Sequence, residues 1–88
     1  MFSHIHFQTI GVTDYQRALE FYREKLGFAV ERDNPYGEGR WIFLKIPDAA
    51  TMLHFEKLPA IEPQKTPALI LVTANVDDTC SKLEAAGV

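Results

Sequence analysis

Three histidines, one glutamate and one cysteine are the residues whose types and spacing invite chemistry. In "TMLHFEK" (51–57), His54 and Glu56 stand two apart, so a strand carries both on one face. There they form an acid/base pair, a set of anchors for a polar ligand, or simply an exposed pair on an edge strand. His4 and His6 are also two apart, in "SHIHFQTIGV" (3–12). Three histidines suggest a metal site, but strand alternation opposes one. It puts His4 and His6 on the face of Gln8, Ile10 and Val12, which is expected to pack beneath a helix, and it puts Ile5, Phe7, Thr9 and Gly11 on the other. His4 and His6 therefore read as satisfied or solvated side chains near a terminus. Arg40 reads as a solvated charge at a strand end. Cys80, in the first turn of a second helix, reads as a partly buried, inert thiol.

The elements that must position these residues follow from periodicity. Residues 3–12 alternate as a strand. A helix then starts at Thr13, where Thr13-x-x-Gln16 fits a capping box. Tyr15, Ala18, Leu19, Tyr22 and Leu26 make one apolar stripe, and Gly27 suits a left-handed exit with Phe28 folding back on the last turn. "FAVERD" reads as a short strand and "NPYGEGR" as a turn-rich stretch. "WIFLKI" is a strand with Ile42, Leu44 and Ile46 on one face and Trp41, Phe43 and Lys45 on the other. After a turn at Pro47-Asp48, "TMLHFEK" is the last strand of the set.

Residues 1–57 thus read as a βαβββ module. The stretch 58–67 holds three of the five prolines and reads as a linker. Residues 68–88 then repeat the opening grammar: "ALILVTA" as a strand, Asp77 or Asp78 as a cap, a shorter helix, and Gly87-Val88 as its exit. Repetition of this kind implies two modules that complete one another.

Composition limits what the chain can do. Its 88 residues are 47% hydrophobic and 24% charged, with a net charge of -3. No Lys/Arg stripe offers phosphate contacts, so nucleic acid is not an expected partner. No apolar run approaches the roughly 20 residues of a membrane span. One cysteine cannot form an internal disulfide, which agrees with a reduced, cytoplasmic, soluble protein.

Three stretches, "VTDYQRALEFYREKLGF", "RWIFLKI…TMLHFE" and "NVDDTCSKLEAAGV", resemble the vicinal oxygen chelate superfamily, which includes glyoxalase I, bleomycin-resistance proteins and extradiol dioxygenases. The resemblance implies an α+β fold in which two βαβββ modules pair around a concave cleft, within one chain or across a dimer. Set against that two-module domain, the sequence holds one complete module and the first βα of a second, so the second is expected to be incomplete. A homodimer is the expected assembly.

The resemblance also implies where a divalent ion (Mn, Fe, Co, Ni or Zn) would be held in metal-dependent members. Those positions fall on Phe7, His54 and Leu71, with the fourth beyond Val88. Only His54 has a donor, so no metal or other cofactor is expected. If the register holds, Phe7, Thr9, Trp41, Phe43, His54, Glu56 and Leu71 face the cleft: an aromatic wall with a few polar groups, which suits a small molecule. The resulting expectation is a bleomycin-resistance-like protein that binds a small molecule without metal. The alternatives are a metal-dependent lyase, isomerase or dioxygenase, and a degenerate structural or interaction module.

Overall fold

The first helix is opened by Asp14, one residue later than the capping box at Thr13 would place it. In the computed structural model, which describes residues 1–62 and 69–88, the Asp14 carboxylate accepts from the backbone N–H of Arg17 at 3.2 Å. A carboxylate caps the open amides and also meets the positive end of the helix dipole, which favours it over the neighbouring hydroxyl. Helix α1 spans Tyr15–Glu20 and continues as a π-helical turn, Phe21–Lys25. The sequence stripe contains no signal for that change of winding.

The stripe itself packs as its spacing requires. Leu19 is buried, while Tyr15, Ala18, Tyr22 and Leu26 lie against the core. Gly27 takes φ 75°, which an L-residue adopts only at a cost, and the chain folds back after it. The Phe28 N–H then donates to the Tyr22 carbonyl at 3.1 Å, one residue further back than an α-helical exit would reach, because the last turn is π-helical. Phe28 stacks on Tyr22 at a centroid distance of 5.9 Å.

Four strands form one sheet: β1 (Phe7–Val12), β2 (Ala29–Tyr36), β3 (Gly39–Lys45) and β4 (Met52–Lys57), in the order β1-β4-β3-β2. β1 runs parallel to β4 with Thr9 opposite His54, and β3 runs antiparallel to β4 with Phe43 opposite His54. His54 is therefore flanked on both sides within the sheet. The face beneath α1 carries Ile10, Val12, Ile42, Leu44, Leu53 and Phe55, all buried. At about 25 cal/mol per Å² of apolar surface, this layer is the main source of stability in the module. The sheet and its helices make the chain α+β.

Several expectations are corrected. β2 runs through Asn34 and Pro35 to Tyr36, and the hairpin turn is only Gly37-Glu38. Proline is tolerated there because β2 is an edge strand, where one row of N–H groups needs no partner. β1 begins at Phe7, so His4 and His6 precede it. Both are exposed, not packed beneath the helix.

The strand expected at 68–74 does not form in its described part, 69–74, where no ladder partner is present to satisfy its backbone. Part of the expected linker, 63–67, and Ala68 lie outside the described residues. Asn75, not Asp77 or Asp78, caps the second helix α2 (Val76–Ala85), accepting from the Asp78 N–H at 2.9 Å. Its exit follows the sequence reading. Gly87 takes φ 88°, Val88 donates to Leu83 and Gly87 to Glu84 at 3.0 Å each, which is the Schellman pattern.

Candidate functional site

The sheet face turned away from α1 carries a continuous band of rings. It starts on β1 with Phe7, crosses β4 at His54 and β3 at Phe43 and Trp41, and ends on β2 at Tyr36. Phe7 meets Phe43 edge to face at 5.0 Å, and Trp41 meets Phe43 likewise at 5.2 Å. His54 lies 4.7 Å from Trp41, 5.0 Å from Phe43 and 5.5 Å from Phe7, centroid to centroid. Tyr36 extends the band, 5.3 Å from Trp41. Edge-to-face and tilted contacts suit the ring quadrupoles, so the rings hold one another in place.

Alternation produces this band. Phe43 is one residue from the buried Ile42 and Leu44, and His54 is one residue from the buried Leu53 and Phe55, so each must face the other side. Phe43 is itself buried beneath its neighbours, whereas Phe7 and Tyr36 keep 36% and 69% of their surface open. The floor is thus built in and its ends are free to touch something else.

Polar groups within the band are few. The Thr9 hydroxyl and His54 Nδ1 are 3.2 Å apart. Burial among the rings pushes the His54 imidazole below its ordinary pKa, and the Glu56 charge opposes this in part, so the neutral ring is favoured. Glu56 follows on the same face and is exposed.

A cavity of about 420 Å³ lies over one end of the band, lined by His6, Phe7, Glu31, Arg32, Trp41, Phe43 and Met52. That volume falls within the range of small-molecule sites. A β-bulge between Val30 and Arg32 leaves Glu31 without a partner on β3, and both Glu31 and Arg32 reach this cavity.

Of the seven residues expected in the cleft, Phe7, Thr9, Trp41, Phe43, His54 and Glu56 share one sheet face. Leu71 does not join them. It is 47% exposed and lines a separate groove with Gln8, Ile46 and Leu53, residues of the helix-side layer and its rim. The strand that was to carry Leu71 into the cleft is not formed, so its register has no meaning here.

Sequence reasoning missed Tyr36, His6, Glu31 and Arg32. Tyr36 was hidden by Pro35 and Gly37, which read as a loop. Glu31 and Arg32 depend on a bulge, for which the sequence gives no sign.

Arg40, expected to be solvated, is held. Its Nε and Nη2 donate to the two Asp33 carboxylate oxygens at 3.1 and 2.5 Å, and its Nη1 donates to Gln16 Oε1 at 3.1 Å. It ties the β2–β3 hairpin to α1. Cys80, expected to be partly buried, is exposed. Among the described residues, no three His, Cys, Asp or Glu side chains gather closely enough to hold a metal ion, and no helix is long and apolar enough to cross a membrane.

A family model described as Glyoxalase/Bleomycin resistance protein/Dioxygenase superfamily matches residues 2–88. The structure of TnmS3, an antibiotic binding protein from Streptomyces sp. CB03234, superposes with a TM-score of 0.81 at 32% identity, covering 98% of this chain and 72% of that one. A glyoxalase/bleomycin resistance protein from the same Streptomyces gives 0.76 at 30% identity, covering 96% and 75%. The protein YurT of Bacillus subtilis (strain 168), described as uncharacterized, is 55% identical over 40 residues, which span 46% of this chain and only 32% of that relative's length.

Proposed function

This chain belongs to the Glyoxalase/Bleomycin resistance protein/Dioxygenase superfamily, and from that premise we propose that it binds a small, flat aromatic molecule on the ring band of its sheet, without a resident metal. The observation that carries the reading is the band itself: Phe7, His54, Phe43, Trp41 and Tyr36 in unbroken ring contact, beside a cavity of about 420 Å³. Such a floor offers stacking area with little rearrangement, because its rings already hold one another. The similarity to an antibiotic binding protein supports a small-molecule ligand.

The donor set argues against a resident divalent ion. Of the three positions at which the family would place ligands, Phe7 presents only an aromatic ring, and Leu71 is aliphatic and lies outside the cleft. An ion there would lose hydration with only the His54 nitrogen in exchange.

One helix layer covers one face of the sheet, and the opposite face must meet a ligand, a partner or both. We propose a second copy of the chain as the other wall of the cleft.

Melting curves of EDTA-treated protein with and without quinoline test the reading. Binding raises Tm with probe concentration. A Tm that quinoline leaves unmoved, but that rises with stoichiometric Mn, Ni or Zn, would replace the reading with a metal-dependent one.

A further inference from the structure

We infer that Glu31 and Arg32, brought to the cavity by the bulge in β2, recognise a zwitterionic side group, so that the ligand of the ring band is of the aromatic amino-acid type: a flat ring with an ammonium and a carboxylate on a short tether. This rests on the binding function proposed above and names the ligand class for it.

The register of β2 on β3 carries the argument. Val30 lies opposite Leu44, and an unbroken ladder would put Glu31 opposite Phe43 and Arg32 opposite Ile42. Ile42 belongs to the buried layer beneath α1, so Arg32 would then be turned to the helix side. The bulge adds one residue to β2, and Arg32 falls opposite Phe43 instead, on the ring face. Glu31 is the extra residue and lines the same cavity. Asp33 passes to the helix side in exchange, opposite Ile42, where Arg40 holds it. The slip thus leaves one carboxylate and one guanidinium from β2 at the cavity.

These two charges are opposite and adjacent in sequence, yet they form no ion pair with each other. Among the described residues neither has a salt bridge to any other side chain. Both are exposed, so water surrounds them in the free protein. A ligand with a single charge is attracted by one of them and repelled by the other. A zwitterion satisfies both. His6 also lines the cavity, but from the segment before β1, at the opposite edge of the sheet. Neighbouring strands are about 4.8 Å apart, so Glu31 and Arg32 lie one strand away from Trp41 and Phe43 on β3. A ring stacked on that pair carries its side group to them on a tether of one or two carbons.

The test uses four probes that share a naphthyl ring: 3-(2-naphthyl)alanine (both charges), 3-(2-naphthyl)propionate (carboxylate only), 2-(2-naphthyl)ethylammonium (ammonium only) and 2-ethylnaphthalene (neither). Affinities are measured by amide chemical-shift titration at neutral pH and low salt. Naphthylalanine should bind tightest, by about 2–5-fold over either singly charged probe, a modest lead because the protein charges are solvated. In Arg32→Gln its lead over the ammonium probe should vanish, and in Glu31→Gln its lead over the propionate should vanish. Ethylnaphthalene should bind all three proteins alike, and high salt should shrink the naphthylalanine lead.

Equal affinities for the four probes, a singly charged probe binding tightest, or a lead that both substitutions leave intact would overturn the inference while leaving the binding function standing. Failure of all four probes to bind would remove the binding function and the preference with it.

Discussion

Trp41 and His54 pack ring against ring across β3 and β4, centroids 4.7 Å apart and planes inclined at 59°. The contact puts the largest ring of the band beside its main polar group, so a ligand stacked on one is within reach of the other. Truncating Trp41 removes stacking surface that any flat ligand on this face would use. Trp41→Ala is expected to weaken quinoline and naphthalene alike by about 3–10-fold. Equal binding to wild type and Trp41→Ala in calorimetry would move the ligand off this face.

Asp33 and Arg40 provide a pH dependence with a definite sign. The Arg40 hydrogen bonds, and secondarily its charge, hold the Asp33 carboxyl below its ordinary value. The folded-state pKa is thus lower than the unfolded one of about 3.9. The pair stabilises the fold above that pH, and its contribution is lost as pH falls through the folded value. Both groups are partly solvated, so the contribution is at most about 1 kcal/mol. Asp33→Asn should lower stability at pH 7 by up to that amount, with a narrower gap to wild type at pH 3. Denaturant unfolding at the two pH values checks it, and a gap that widens in acid would contradict it.

Asp48 occupies φ 61° in the turn closed by the Ala49 N–H donating to the Ile46 carbonyl at 3.1 Å. A left-handed conformation costs an L-residue about 1–2 kcal/mol, and glycine escapes that cost while adding disorder to the unfolded chain. Asp48→Gly is expected to hold or raise Tm, and Asp48→Val to lower stability by about 1 kcal/mol or more. The reverse order in melting curves would show that the Asp48 side chain does something the turn geometry does not require.

Gly27 ends the π-helical turn at φ 75° and directs Phe28 onto Tyr22. No atom would obstruct an added Cβ there, so the cost of Gly27→Ala is conformational, about 1–2 kcal/mol. Denaturant melts of Gly27→Ala and the wild type measure it. A neutral outcome would mean that the exit can be rebuilt without the left-handed residue.

The parts legible in the sequence were those governed by simple alternation or by the helical stripe. Leu19 beneath α1, Ile42 and Leu44 against Leu53 and Phe55, and the ring-bearing face opposite them all follow from which neighbours are apolar. The parts that were not legible depend on choices among near-equal local options. Asp14 and Asn75 outcompete adjacent cap candidates through dipole and geometry differences that are worth little individually. The bulge at Glu31 and the π-turn at Phe21–Lys25 leave composition unchanged. Residues 69–74 have strand-like composition and no ladder, because a strand needs a partner and local preference cannot supply one. Leu71 was misplaced for that reason.

Whether a ligand stacks on the ring band is read by a two-dimensional amide titration of EDTA-treated protein with naphthalene, which has no rim polar group and so isolates stacking. Saturable shifts are expected at Phe7, Thr9, Trp41, Phe43 and His54, residues of the face away from α1, with little change at Leu19 and Leu44 beneath the helix. Shifts confined to the groove of Gln8, Leu53 and Leu71, or none until a divalent ion is added, would contradict it.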